Sequence, residues 1–164
     1  MSLKIESSTS PESTELIHNF MNGRYSGVLA TADAAAHPHA AVVYYRVAKD
    51  FCVYLGTKRE TQKFKNIEEN KQVCLVVYDE VEQTTLQLFG RVEIVEDHDK
   101  KQEIIDNIFQ SSAERSITTL PPIEKLWGGE FVGIKIVPQV IKMAVYARPD
   151  SEGDDIFETV LFSE

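Results

Sequence analysis

The sequence predicts a mainly β protein: an antiparallel barrel of six or seven strands, with helices inserted at only two or three places. Three observations carry this prediction. Short runs rich in β-branched and aromatic residues recur along the chain, separated by turn residues. Apolar residues at helical spacing occur in few segments. A doubly wound α/β fold would need a helix between nearly every pair of strands, and none of the short turns leaves room for one. No internal repeat and no linker divides the 164 residues, so they read as one domain, 1–164, long enough to bury a core without disulfides or metal.

The elements follow in order. After the polar lead Ser7 to Ser10, the pair Ser10-Pro11 starts a helix, with serine as cap and proline in the first helical position. Leu16, Ile17 and Phe20 supply its apolar face, and Gly23 closes it. Gly27 to Asp33 is a strand, Pro38 to Val47 a second, and after Lys49-Asp50 turns the chain, Phe51 to Leu55 is a third, giving a meander. A helix over residues 60–70 precedes Gln72 to Tyr78, whose nearly continuous apolar sequence suits a strand covered on both faces. Thr84 to Val95 is a long strand with Gly90 where a bulge or bend would fall.

Ile104, Ile105 and Ile108 form the buried stripe of a helix over Asp97 to Phe109. Ser111-Ser112 and Pro121-Pro122 mark residues 111–128 as irregular. Glu130 to Val137 and Gln139 to Tyr146 read as a β pair separated by Pro138, followed by an acidic loop from Asp150 to Asp155 and a short strand from Ile156 to Phe162.

Composition narrows the function. With 43% hydrophobic and 26% charged residues the chain is globular, and a net charge of −9 with a pI near 5.0 excludes a broad nucleic-acid-binding face. Small phosphorylated ligands remain open to it. Cys52 and Cys74 sit singly inside apolar β-like runs, as small hydrophobes rather than a disulfide framework, which points to a reducing cytoplasm. Residues 1–15 hold no apolar core of signal-peptide length, and no stretch approaches the ~18 apolar residues of a membrane span. A cytoplasmic protein without membrane attachment is expected.

The most informative segment is Gly56-Thr57-Lys58-Arg59-Glu60-Thr61-Gln62-Lys63-Phe64-Lys65-Asn66-Ile67, where a strand hands over to a helix. The first turn of a helix offers unpaired N–H groups and a positive dipole end, so hydroxyls and ammonium groups placed there complete a phosphate site. A solvated helix face explains the same lysines without any ligand. Other chemistries lack their residues. His37-Pro38-His39 has no third or fourth metal ligand at a supporting spacing. No serine or cysteine pairs with a histidine in a hydrolase arrangement, and neither a dinucleotide fingerprint nor a Walker loop is present. Tyr44 and Tyr45 point to opposite faces of their strand, and Trp127 either covers a ligand or plugs a core edge.

The order of these pieces resembles the FMN-binding split barrels of the pyridoxamine 5′-phosphate oxidase-like family, over about residues 13–146. The resemblance is carried by Gly27-Val28-Leu29-Ala30-Thr31, then Pro38 leading into Val42-Val43-Tyr44-Tyr45-Arg46, then Leu55-Gly56-Thr57 with Thr61-Gln62-Lys63, then Asn66 to Val73 and Leu88 to Glu93. It implies an FMN site. The family's flavin-side strand motif falls on Ala41 to Arg46, with its first arginine absent and its lysine replaced by Arg46. Its aromatic-Thr pair falls on Gly56 and Thr57. Its phosphate-binding Ser-Arg-Lys falls on Thr61, Gln62 and Lys63, so the arginine is lost, and Lys58 or Arg59 is placed to restore the charge. A ring-contacting glutamine falls on Thr85, with Gln87 on the same strand face.

The oxidases' ring-contacting tryptophan falls on Ala144, and their Arg-x-His substrate motif has no counterpart at Arg148, Pro149 and Asp150. The closer likeness is therefore to the shorter general-stress-type flavoproteins. What the resemblance implies is FMN held by Val42, Val43, Tyr44, Arg46, Gly56, Thr57, Lys58, Thr61, Gln62, Lys63, Thr85 and Gln87, in a homodimer with the flavin at its interface. The redox work is the flavin's, with no essential acid or base. A flavin carrier without turnover, and deazaflavin or haem binding on the same barrel, are the other readings. Residues 99–164 contain no histidine to serve as a late haem ligand.

Overall fold

The computed structural model describes residues 3–6, 9–115, 130–147 and 156–163. Trp127, the Pro121-Pro122 pair, Arg148 to Asp150 and the acidic loop lie outside them.

Helix α1 (Pro11–Asn22) begins as its sequence dictates: Ser10 is extended and its hydroxyl accepts the Ser13 N–H at 3.0 Å. Short β1 (Lys4–Ile5) precedes it. Then come β2 (Ser26–Ala32), β3 (Pro38–Val47), β4 (Val53–Lys58), α2 (Gln62–Glu69), β5 (Gln72–Asp79), β6 (Thr84–Val95), α3 (His98–Arg115), β7 (Phe131–Val145) and β8 (Phe157–Ser163). Six strands close a barrel in the order β7-β4-β3-β2-β5-β6, with β6 pairing back to β7, and every pairing is antiparallel. Strands β8 and β1 extend one edge outside the barrel.

Alternation sets the core. Leu29, Val43, Tyr45, Leu55, Leu75, Leu86, Leu88, Ile134 and Ile136 point inward, and α1 plugs one end with Ile17, Phe20 and Met21. Tyr45 carries the only polar side-chain atom of this set, and its hydroxyl donates to the Met21 carbonyl at 2.9 Å. A second, smaller cluster joins Ile104, Ile105 and Ile108 of α3 to Tyr44, Tyr54, Val95 and Phe131 on the outer face of the barrel. No helix among the described residues is long and apolar enough to cross a membrane.

Four expectations are corrected. Phe51 does not open β4: it sits in the turn at φ 65°, its ring buried against His18 and Phe162, and the strand starts at Val53. Ser111 and Ser112 continue α3, because the Ser112 hydroxyl donates back to the Ile108 carbonyl at 2.8 Å and so satisfies itself inside the helix. Pro138 does not divide a pair of strands. It lies inside β7, opposite Gly90 at a shift in the β6 register, and between the stretches of β7 that pair with β4 and with β8, where a missing N–H costs least. Strand β5 is buried on its inner face only within one chain, leaving Tyr78 62% exposed on the other.

Candidate functional site

The barrel opens at β3 and β4. Their ladder holds only Tyr45–Leu55, Arg46–Tyr54 and Val47–Val53, whereas β3 stays paired with β2 along most of its length. The Tyr45 N–H donates to Tyr25 on the β2 side, so by alternation the main-chain groups of Val42 are turned toward β4, where the ladder has ended. A cleft therefore separates Val42 and Tyr44 from Gly56, Thr57 and Lys58. Helix α2 starts at one end of it.

That helix start is built against the usual pattern. Its first turn has no acidic residue and Thr61 gives it no side-chain cap, while Lys63 stands there as a cation at the positive dipole end. Thr61 instead bonds sideways: its hydroxyl lies 3.0 Å from that of Thr57 and donates to the Lys58 carbonyl at 2.8 Å. Lys63 is half-buried, burial holds its ammonium below the usual lysine range, and no carboxylate pairs with it among the described residues. An unpaired, partly desolvated cation beside two hydroxyls and free helix N–H groups fits a phosphate monoester.

The other sequence candidates divide. Gln62 is exposed and its amide is spent along the helix, donating to Asn66 Oδ1 at 2.8 Å, and buried Asn66 donates to Thr31 Oγ1 at 3.1 Å. Arg59 is engaged by Glu96 at 2.6 Å and Glu130 at 3.2 Å, so Lys58 is the freer of the two candidate helpers. Val43 points its side chain into the core and, by the same alternation, turns its main-chain groups to β2, so it is not part of the cleft. Thr85 and Gln87 lie elsewhere: Gln87 is opposite Val76, Val76 opposite Val28 and Val28 opposite Val42, three strand spacings or about 14 Å from the cleft strand. His37 is held by Asp33 at 2.9 Å, and no group of three possible metal ligands occurs among the described residues.

Sequence reasoning missed Phe131. Its ring lies over Gly56, where an added Cβ would come within 2.2 Å of Cε2 and Cζ. The two are adjacent because β4 pairs with β7, a long-range pairing that no local pattern encodes.

Beyond Phe131, a cavity of about 960 Å³ lies between α3 and the outer face of the barrel. Its floor is one cross-strand row, Arg46, Tyr54, Lys135 and Glu93, from β3, β4, β7 and β6. Lys135 and Glu93 pair at 2.9 Å, and burial pushes the Tyr54 phenol up, so it stays a neutral donor. Such a chamber suits a small polar molecule.

A family model described as pyridoxamine 5′-phosphate oxidase matches residues 13–140, and the chain belongs to that family. Among solved structures, it is similar to a conserved hypothetical protein from Mycobacterium tuberculosis, at 20% identity and TM-score 0.67 over 92% of this chain and 97% of that one. General stress protein 26 from Bacillus anthracis matches at 26% identity and TM-score 0.59, over 79% and 92% of the two chains. An F420 reductase shares the fold at 21% identity and TM-score 0.58, over 75% and 94%. No curated protein matches the sequence.

Proposed function

We propose that this chain is an FMN-binding flavoprotein that acts as a flavin-dependent oxidoreductase and works as a homodimer. The observation that carries the reading is Lys63, an unpaired and half-buried cation at the uncapped start of α2. Lys63, the Thr57 and Thr61 hydroxyls and the α2 N–H groups would hold the phosphate, with Lys58 assisting, and the main chain of Val42 and Tyr44 would line the ribityl chain and ring. Bound FMN supplies hydride acceptance and donation. The chain's own role is to bind, orient and keep water from the cleft.

Dimerisation is supported by the open outer face of β3, β2, β5 and β6. Val42 is 68% exposed there, Val28 39% and Phe89 40%, and Val42–Val28–Val76 and Ala30–Cys74–Phe89 are continuous cross-strand rows. A contiguous apolar patch of this kind marks an interface. A two-fold axis through it would bring Thr85 and Gln87 of each protomer toward the cleft of the other.

The absorption spectrum of the purified protein, with the mass of whatever co-purifies, tests this. A flavin spectrum and the mass of FMN are expected. A colourless protein that takes up no added FMN, or one that carries a deazaflavin or haem instead, would overturn the cofactor assignment. Reduction of bound FMN by NAD(P)H or another donor then separates an enzyme from a flavin carrier.

A further inference from the structure

We infer that Phe131 is a positioning residue for the flavin ring, its own ring forming the wall of the cleft above Gly56; this rests on the FMN reading given above. The outer face of the barrel has a floor without side chains at this point, because Gly56 of β4 is paired with Gly133 of β7. The space over Gly56 is filled outright and that over Gly133 is tight. A Cβ at position 56 would overlap the Phe131 ring at 2.2 Å, and one at 133 would meet Ile104 Cδ1 at 3.0 Å.

Phe131 is seated from more than one side. Gly56 receives its edge, and the Ile104, Ile105 and Ile108 stripe of α3 packs behind it. Tyr44, across the opened β3–β4 ladder, packs on the same stripe. The two aromatic residues thus flank the cleft whose far end is the Lys63 anchor, and Phe131 remains only half-buried, with surface left to offer. Lys58 is the direct cross-strand partner of Phe131, so the wall and the phosphate end of the cleft share one strand pair. A ring restrained in this way loses little freedom when a planar ligand settles beside it, which is how a preorganised contact gains affinity.

The alternative is that Phe131 only seals α3 to the barrel. Phe131→Leu separates the two, since it keeps an apolar side chain against the isoleucines but removes the aromatic face. The expected result is a folded protein that binds FMN about three- to tenfold more weakly, with the visible bands and fluorescence of the bound flavin shifted toward those of free FMN. Phe131→Tyr should restore the wild-type spectrum. Gly56→Ala, which drives the ring from its seat, should reproduce the spectral change, and Gly56→Ala combined with Phe131→Ala should be no worse than Phe131→Ala alone. A wild-type spectrum and affinity in folded Phe131→Leu, or additive losses in the double variant, would overturn the inference while leaving the FMN reading intact. A wild-type protein that binds no FMN would instead overturn both.

Discussion

The side-chain amide of Gln62 donates to Asn66 Oδ1 at 2.8 Å, one helical turn along α2, and Asn66 passes the chain on to the Thr31 hydroxyl at 3.1 Å. This relay ties the start of α2 to β2 and engages the Gln62 amide. Asn66 is 2% exposed, so its amide has no water to fall back on. Asn66→Ala should therefore cost about 1–3 kcal/mol, the penalty for stranding buried polar partners. Urea denaturation measures it, and a change within a few tenths of the wild-type value would show that the relay is not structural.

Lys63 carries a prediction with a sign. Burial lowers its pKa below the ordinary lysine value of 10.5, so the unfolded chain holds that proton to higher pH than the folded one. In the ligand-free protein Lys63 thus costs stability throughout the neutral range, by a constant amount below its folded pKa, and that cost shrinks as pH rises from the folded pKa toward 10.5, where the unfolded chain binds more protons than the folded one. Lys63→Met, which keeps the stem and discards the charge, should leave the ligand-free protein at least as stable as the wild type at pH 7 while weakening its hold on FMN. Thermal melts with and without FMN read both effects. A marked loss of stability without ligand would assign Lys63 a structural role.

Gly90 faces a backbone constraint. A Cβ there would lie 2.5 Å from the Val137 carbonyl oxygen, at the point where the β6–β7 register shifts. Main chain cannot yield as a side chain would, so Gly90→Ala should destabilise by about 1–3 kcal/mol. Equilibrium unfolding decides this, and near-neutrality would mean that the bulge relaxes freely.

The open sheet face predicts assembly. Val42→Arg places a charge at the β3 end of an apolar row, on its most exposed member, and sedimentation should find the wild type as a dimer and the variant as a monomer with weakened FMN binding. A dimeric variant would move the interface elsewhere.

Much of this architecture was legible in the chain itself. Pro38 to Val47 and Thr84 to Val95 are strands over the very spans that their alternation marks, and Gly90 falls at the register shift that its lack of a side chain suggests. What escaped was decided by distant partners. Pro138 stays in a strand because β7 changes neighbours there, which depends on where β4 and β8 lie. Phe51 leaves its strand because a buried position between His18 and Phe162 rewards a strained turn. At the site, the Thr61–Lys63 junction could be read from residue types, whereas the engagement of Arg59 by Glu96 and Glu130 and the Phe131 ring over Gly56 exist only once the strands are assembled.

The phosphate anchor at α2 is the central claim, and comparing FMN with riboflavin tests it most directly, since the two differ only in the phosphate. Equilibrium titrations of the wild type and of Lys63→Ala should show FMN preferred by about ten- to a hundredfold in the wild type, the worth of one charge-assisted phosphate contact, and most of that preference lost in the variant. Equal affinities for the two flavins in the wild type, or a preference unchanged by Lys63→Ala, would contradict the account.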